Sequence, residues 1–162
     1  GMEQTSMIEQ LEQLIDDIGE INSKLVLLVG GRTSGKTKLL YELGTRLNLD
    51  PLNAGLELGR KLAAIPINKR SFAAGELLRQ LADRHALGDL LLLDNLELLF
   101  DRSLRLDPLD LLKRHAHSRR VIAVWPGELS GNTKTGRLTY AEMGHPEHQD
   151  YSLFGVVPFE VK

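Results

Sequence analysis

The order of apolar and polar positions divides the chain into alternating helical and extended pieces. Ile8, Leu11, Ile15 and Ile18 recur at three- and four-residue intervals, the spacing of one helix face. Ser6-Met7-Ile8-Glu9 has the form of a capping box, and Gly19 ends the run, so an amphipathic helix is expected first. Residues 25–29, LVLLV, contain no polar position and read as a strand buried on both faces. Leu39, Leu40, Leu43 and Leu47 restore the helical rhythm behind it. Asp50-Pro51 opens a short segment through Asn53 whose state the pattern leaves open. Leu58, Leu62 and Ile65 mark a helix that stops at Pro66, and a second starts near Ser71 and runs through Leu78 and Leu81 to about His85. LLLLD (90–94), VIAVW (121–125) and GVVPFEV (155–161) are further strands, the last assigned to a sheet edge by Pro158. Between them, Asp107-Pro108 caps and starts a helix carrying Leu109, Leu111 and Leu112, while residues 130–137 read as a polar loop.

This alternation predicts an α/β chain with a doubly wound, mostly parallel sheet of about five strands and flanking helices. An N-terminal amphipathic helix within residues 2–22 packs on a single domain, residues 23–162. Tyr140, Tyr151, Phe154 and Phe159 are expected to close the core rather than to stack on bases.

Chemistry enters with GGRTSGKT, directly behind the first apolar strand. Gly30, Gly31, Arg32, Thr33, Ser34, Gly35, Lys36 and Thr37 fit G-x-x-x-x-G-K-[ST], a loop whose backbone N–H groups cradle phosphates at the start of a helix. Lys36 would reach the β- and γ-phosphates, and Thr37 would ligate Mg²⁺. Four leucines ending in Asp94 form the matching second signature, with the carboxylate delivered to a strand tip opposite Thr37 as a Mg²⁺ ligand. The expected fold is therefore that of a P-loop NTPase of the additional-strand type, with ATP and Mg²⁺ as its ligands.

The residue after Asp94 limits the chemistry. Such ATPases commonly carry a glutamate there to orient the attacking water, and this chain has Asn95. Glu97, one helical turn on, is the candidate base, with a merely solvated carboxylate as the alternative. A polar sensor residue is also missing, since the strand ends in Trp125. Slow or conditional conversion of ATP to ADP and phosphate follows as the expectation. Conditionality directs attention to the basic segment 113–120. Its cations either complement a helix C-terminus or supply an arginine finger in trans, with Arg119 and Arg120 as the candidates.

Composition removes several other classes. The 162 residues suffice for one compact domain, and 20 basic against 22 acidic residues leave a net charge of -2, without overall attraction to nucleic acid. The absence of cysteine excludes disulfides and thiolate metal sites. No apolar run approaches the roughly 20 residues of a membrane span, and no signal pattern opens the chain, so a cytoplasmic location without membrane contact is expected. Gly1 ahead of Met2 reads as a cloning remnant. His145 and His148 in HPEH have the wrong spacing for a zinc-protease motif, and Pro146 opposes a helix that would present both rings. No Asn-Lys-x-Asp guanine motif is present.

Taken together, LVLLVGGRTSGKT, LLLLDNLELLF, DPLDLLKRHAHSRRVIAVWPG and LTYAEMGHPEHQDY resemble the BrxF proteins, small P-loop components of bacterial bacteriophage-exclusion (BREX) defence systems. The likeness covers about Leu25 to Tyr151. The glycine loop is shared with very many ATPases; Asp-Asn-x-Glu, the Trp-Pro-Gly ending and Tyr-Ala-x-x-Gly-His-Pro-Glu are the more particular marks. The resemblance implies a cytoplasmic ATPase acting beside other defence proteins, as a homo-oligomer or with those partners, with DNA contacted only indirectly. A nucleotide-dependent switch and an assembly adaptor with negligible hydrolysis stand as alternatives to the enzyme.

Overall fold

The computed structural model describes residues 6–19, 24–141 and 144–162. The expected boundary between residues 22 and 23, the Gly1-Met2 pair, and Glu142 and Met143 of the family-like run lie outside the described residues. The main sheet holds β1 (Leu25–Val29), β2 (Leu52–Asn53), β3 (Leu90–Asp94), β4 (Arg120–Val124) and β8 (Val157–Glu160). Its spatial order is β2-β3-β4-β1-β8, and every neighbouring pair is parallel. One strand, β4, therefore separates β1 from β3.

The period of two along β1 sends its residues into two cores. Leu25, Leu27 and Val29 face a cluster with α3 (Ala54–Ala63), α4 (Arg70–His85) and α5 (Pro108–His115). Val26 and Leu28 face the other, formed with α1 (Met7–Ile18) and α2 (Lys36–Leu47). All five β1 residues are buried, as an unbroken apolar run on a doubly covered strand requires.

Local chemistry sets the helix starts. Ser6 Oγ accepts from the Glu9 N–H at 3.3 Å, Asn53 Oδ1 from Leu56 N–H at 3.0 Å, and Asp107 Oδ1 from Asp110 N–H at 3.1 Å. The undecided segment after Pro51 is thus a two-residue edge strand that runs directly into its own helix cap. Pro158 does lie on an edge strand, since β8 pairs with β1 alone.

Two expectations are corrected. The polar loop holds over residues 131–136, but its ends Ser130 and Arg137 are strand residues, and the flanking segments form a second, antiparallel sheet of β5 (Glu128–Ser130), β6 (Arg137–Tyr140) and β7 (Gln149–Ser152). Its strands are too short and too polar to alternate clearly, and Leu138 is their one buried apolar residue. At the tip of the β5–β6 hairpin, Asn132 Oδ1 accepts from the N–H groups of Lys134 and Thr135, each at 2.8 Å, and so stabilises the turn with its side chain. Phe154 does not join the core; it is 84% exposed in the turn after β7. Tyr140 and Tyr151 do pack, around Phe100 and Trp125. Phe100 stacks on Tyr140 at 4.0 Å between ring centroids and meets Trp125 edge-on at 5.4 Å. Phe159 packs against the core cluster on the α1–α2 side.

Leu11 is fully buried where α1 lies over α2. Leu11→Ala is expected to cost about 2–5 kcal/mol of unfolding free energy in one cooperative denaturant transition. A loss under about 0.5 kcal/mol would detach α1 from the folding unit.

Candidate phosphate-binding site

The loop between β1 and α2 is shaped by its two outer glycines. At Gly30 (φ 150°) a Cβ would stand 2.7 Å from both Ser34 Oγ and the Val161 carbonyl, so no larger residue fits. Gly35 caps α2 with φ 88°, a left-handed conformation that glycine adopts without steric cost. Between them Ser34 closes the turn, donating to Gly31 O through its backbone N–H at 3.1 Å and its hydroxyl at 2.7 Å. Lys36 and Thr37 then occupy the first turn of a twelve-residue helix, where N–H groups lack intrahelical acceptors and the helix dipole favours an anion. Arg32 and Thr33 are exposed on the loop's outer side.

Parallel strands bring the other groups to the same end of the sheet. Asp94 ends β3 at 8% exposure and is the buried charged residue among the described residues. Thr37 Oγ1 donates to Asp94 Oδ1 at 3.1 Å, spanning 57 positions of sequence. A hydroxyl and a carboxylate set side by side offer the hard oxygen ligands that Mg²⁺ takes in company with phosphate and water, so the donor set fits that ion. Thr37, Asp94, Asn95 and Glu97 share a cavity of about 300 Å³ with Asn53 and Pro126. Glu97 begins a short 3₁₀ turn, residues Glu97–Phe100, and so reaches the same cavity as Asp94.

The Lys36 ammonium is held in an unexpected place. Nζ donates to the Trp125 carbonyl at 2.9 Å and to the Gly127 carbonyl at 3.1 Å, both on the segment leaving β4. Burial lowers its pKa, while the negative charges of Glu128 and Glu97 act in the opposite direction. At position 125 it is therefore the main chain that meets the site. The indole points away and donates from Nε1 to Thr139 O at 3.0 Å. Gly127 is compelled by the same packing, since a Cβ there would overlap the Thr139 carbonyl at 1.6 Å.

Asn95 has a structural reason to be asparagine. Its φ is 58°, a region that Asn tolerates better than Glu. Its Nδ2 donates to Asn53 Oδ1 at 2.8 Å, and its own carbonyl accepts from Gly55 N–H at 2.9 Å. Asn53 Oδ1 thus serves both this amide and the first turn of α3. A Cβ on Gly55 would approach Asn95 Nδ2 to 2.6 Å, so the contact also fixes a glycine.

Arg119 and Arg120 are not brought to this site. Arg120 opens β4, roughly 13 Å along the strand from the end that faces the loop. Its guanidinium grips Asp89 through Nε at 3.0 Å and Nη2 at 2.7 Å and donates from Nη1 to Ile15 O at 3.1 Å. Arg119 pairs with Asp83 at 2.6 Å. Hydrogen bonds from these arginines hold both aspartates below the ordinary carboxylate pKa. Both guanidiniums pair within the chain, tying β4 to α4 and to the turn before β3. His145 and His148 serve local turn contacts: His145 Nδ1 accepts from Glu147 N–H at 3.1 Å, and His148 Nδ1 lies 3.1 Å from Ala141 O.

Sequence reasoning missed Asn53 and the Trp125–Gly127 carbonyls. The first carried a signal, an Asn ahead of a helical run; the second acts through backbone atoms that no side-chain motif encodes. No protein-family model matches the chain, and the searches of curated proteins and solved structures return no significant match.

Replacing Asn95 by Asp removes the donor and sets a carboxylate against Asn53 Oδ1. Rotating Asn53 to compensate would uncap α3. Asn95→Asp is expected to lower stability by about 1–3 kcal/mol at neutral pH, measured by urea unfolding. An unchanged midpoint would show that the amide pair does not anchor α3.

Proposed function

We propose that the chain binds Mg²⁺–ATP on the Gly30–Thr37 loop and hydrolyses it slowly, as a P-loop ATPase of the additional-strand type. The observation that carries this reading is the Thr37–Asp94 hydrogen bond, which couples the glycine loop to the tip of β3 across the intervening strand β4. That strand order and the twelve-residue helix behind the loop support it further. In this reading the backbone N–H groups of residues 31–37 bind the phosphate oxygens, and Lys36 exchanges its two carbonyl acceptors for the β- and γ-phosphates. Thr37 and Asp94 would hold Mg²⁺, which would neutralise charge on the phosphate oxygens when bound. Glu97 accepts a proton from water as the water oxygen bonds to the γ-phosphorus and the bond to the departing ADP oxygen breaks. Asn95 contributes no base, because an amide is not basic and its Nδ2 is bonded to Asn53.

A second reading, a nucleotide-dependent switch with negligible turnover, is favoured by the Lys36 contacts. The acceptors that Lys36 leaves on meeting phosphate belong to the segment that carries the β5–β6–β7 sheet, so ligand occupancy and the placement of that sheet are mechanically joined. The likeness to BrxF proteins supplies the biological setting that we propose for either reading: anti-phage defence, in a self-assembly or with other BREX proteins. No described helix is long and apolar enough to cross a membrane; the cytoplasmic setting we propose rests on the likeness alone.

Calorimetric titration with Mg²⁺–ATP is expected to show binding that Lys36→Ala weakens by at least about tenfold. Equal affinity in both proteins would remove the loop from the nucleotide site. In phosphate-release assays, Glu97→Gln is expected to cut the rate by about 10²-fold or more with affinity unchanged, the range of a lost general base. Unaltered turnover in Glu97→Gln, with the parent active, would exclude Glu97 as the base.

A further inference from the structure

The turn that carries Glu97 is held from outside the main sheet. Glu97–Phe100 is a 3₁₀ helix, in which side chains three residues apart eclipse, so Glu97 and Phe100 leave the turn along one edge. Leu96 and Leu99 are buried and fix the neighbouring edge in the core beside α3. The edge of Glu97 has a different support. It is Tyr140 of β6, whose ring centroid lies 4.0 Å from that of Phe100 with the planes 20° apart.

Tyr140 is itself anchored. Trp125 Nε1 donates to the carbonyl of the preceding residue, Thr139, at 3.0 Å, and the same indole meets Phe100 edge-on, so β4, β6 and the turn close around one aromatic cluster. A second tie lies just beyond the turn. Arg102 donates from Nη2 to the Pro146 carbonyl, within the HPEH segment that connects β6 to β7. The segment after β3 and the small antiparallel sheet thus meet at two points. The Tyr140 hydroxyl also senses the carboxylate: burial, then the negative charges of Glu147 and Glu97, raise its pKa.

We infer that Tyr140 is a positioning residue for Glu97: its ring, stacked on Phe100, sets the direction in which the Glu97 carboxylate faces the cavity it shares with Thr37 and Asp94. The inference rests on the proposal that Glu97 is the base. It gives β6 a part in turnover, although no residue of β6 lines that cavity.

Phosphate release, calorimetric titration with Mg²⁺–ATP and amide hydrogen exchange test this in the full chain. Tyr140→Leu is expected to lower kcat about tenfold while ATP affinity stays within about twofold. Exchange at the Leu99 and Asp101 amides, which bond to Leu96 O and Leu98 O, is expected to quicken about tenfold with β3 unaltered. Tyr140→Phe keeps the stacked ring and is expected to restore kcat to within about twofold of the parent. Because Tyr140 acts through Glu97, adding Tyr140→Leu to Glu97→Gln is expected to slow turnover no further. Equal fractional loss from Tyr140→Leu in both backgrounds overturns the assignment and leaves Glu97 as the base. So does turnover or amide exchange unaltered by Tyr140→Leu, or a Tyr140→Phe protein as slow as Tyr140→Leu. A Glu97→Gln protein as active as the parent, or a parent without turnover, instead removes the base itself, and the role of Tyr140 with it.

Discussion

The parallel pairing of β1 with β4 and β8 is the constraint on which the rest depends. Parallel strands all end at one edge of the sheet, so whatever follows each strand gathers there. The loop after β1, Asp94 at the end of β3, the Trp125–Gly127 segment after β4 and Val161 after β8 are neighbours for that reason alone. The burial of β1 on both faces makes this edge rigid, because sliding the strand by one residue would exchange its two apolar faces between different helix layers. Helices α1 and α2 on one side and α3, α4 and α5 on the other hold the sheet in place. The site itself then consists of loops on a fixed frame.

Two polar arrangements stand at that edge. One is an anchor: Asn95 donates from its amide to Asn53 and accepts at its carbonyl from Gly55 N–H, so α3 is fastened to the tip of β3. The other holds the lysine that the loop presents between two carbonyls, where burial disfavours its charge and Glu128 and Glu97 oppose that only in part. In the proposed reading, a phosphate at the loop would compete with these carbonyls for the ammonium. That competition would lower the net gain from the Lys36 contact and would link it to the aromatic cluster behind Trp125.

Most of the main sheet was legible because buried parallel strands are written as unbroken apolar runs, and LVLLV, LLLLD and VIAV are such runs. Caps at Ser6 and Asp107 were legible because their side-chain chemistry is local. The small antiparallel sheet was not, because its strands hold three or four residues and depend on backbone pairing with an aromatic cluster drawn from distant positions. Within the candidate site, Thr37, Asp94 and Glu97 were identified by motif and spacing and lie around one cavity. The ion-pair partners of Arg119 and Arg120 were not legible, because charge in a sequence carries no record of its partner, and Asp83 and Asp89 lie 36 and 31 residues away.

The central claim is that Thr37 and Asp94 form a divalent-cation site completed by a nucleotide triphosphate. Electron paramagnetic resonance of Mn²⁺ substituted for Mg²⁺ examines it directly. The account predicts a protein-bound Mn²⁺ signal that requires ATP and is lost when Asp94 is changed to Asn. An ATP-dependent bound signal of equal strength in Asp94→Asn, or tight Mn²⁺ binding indifferent to ATP, would contradict it.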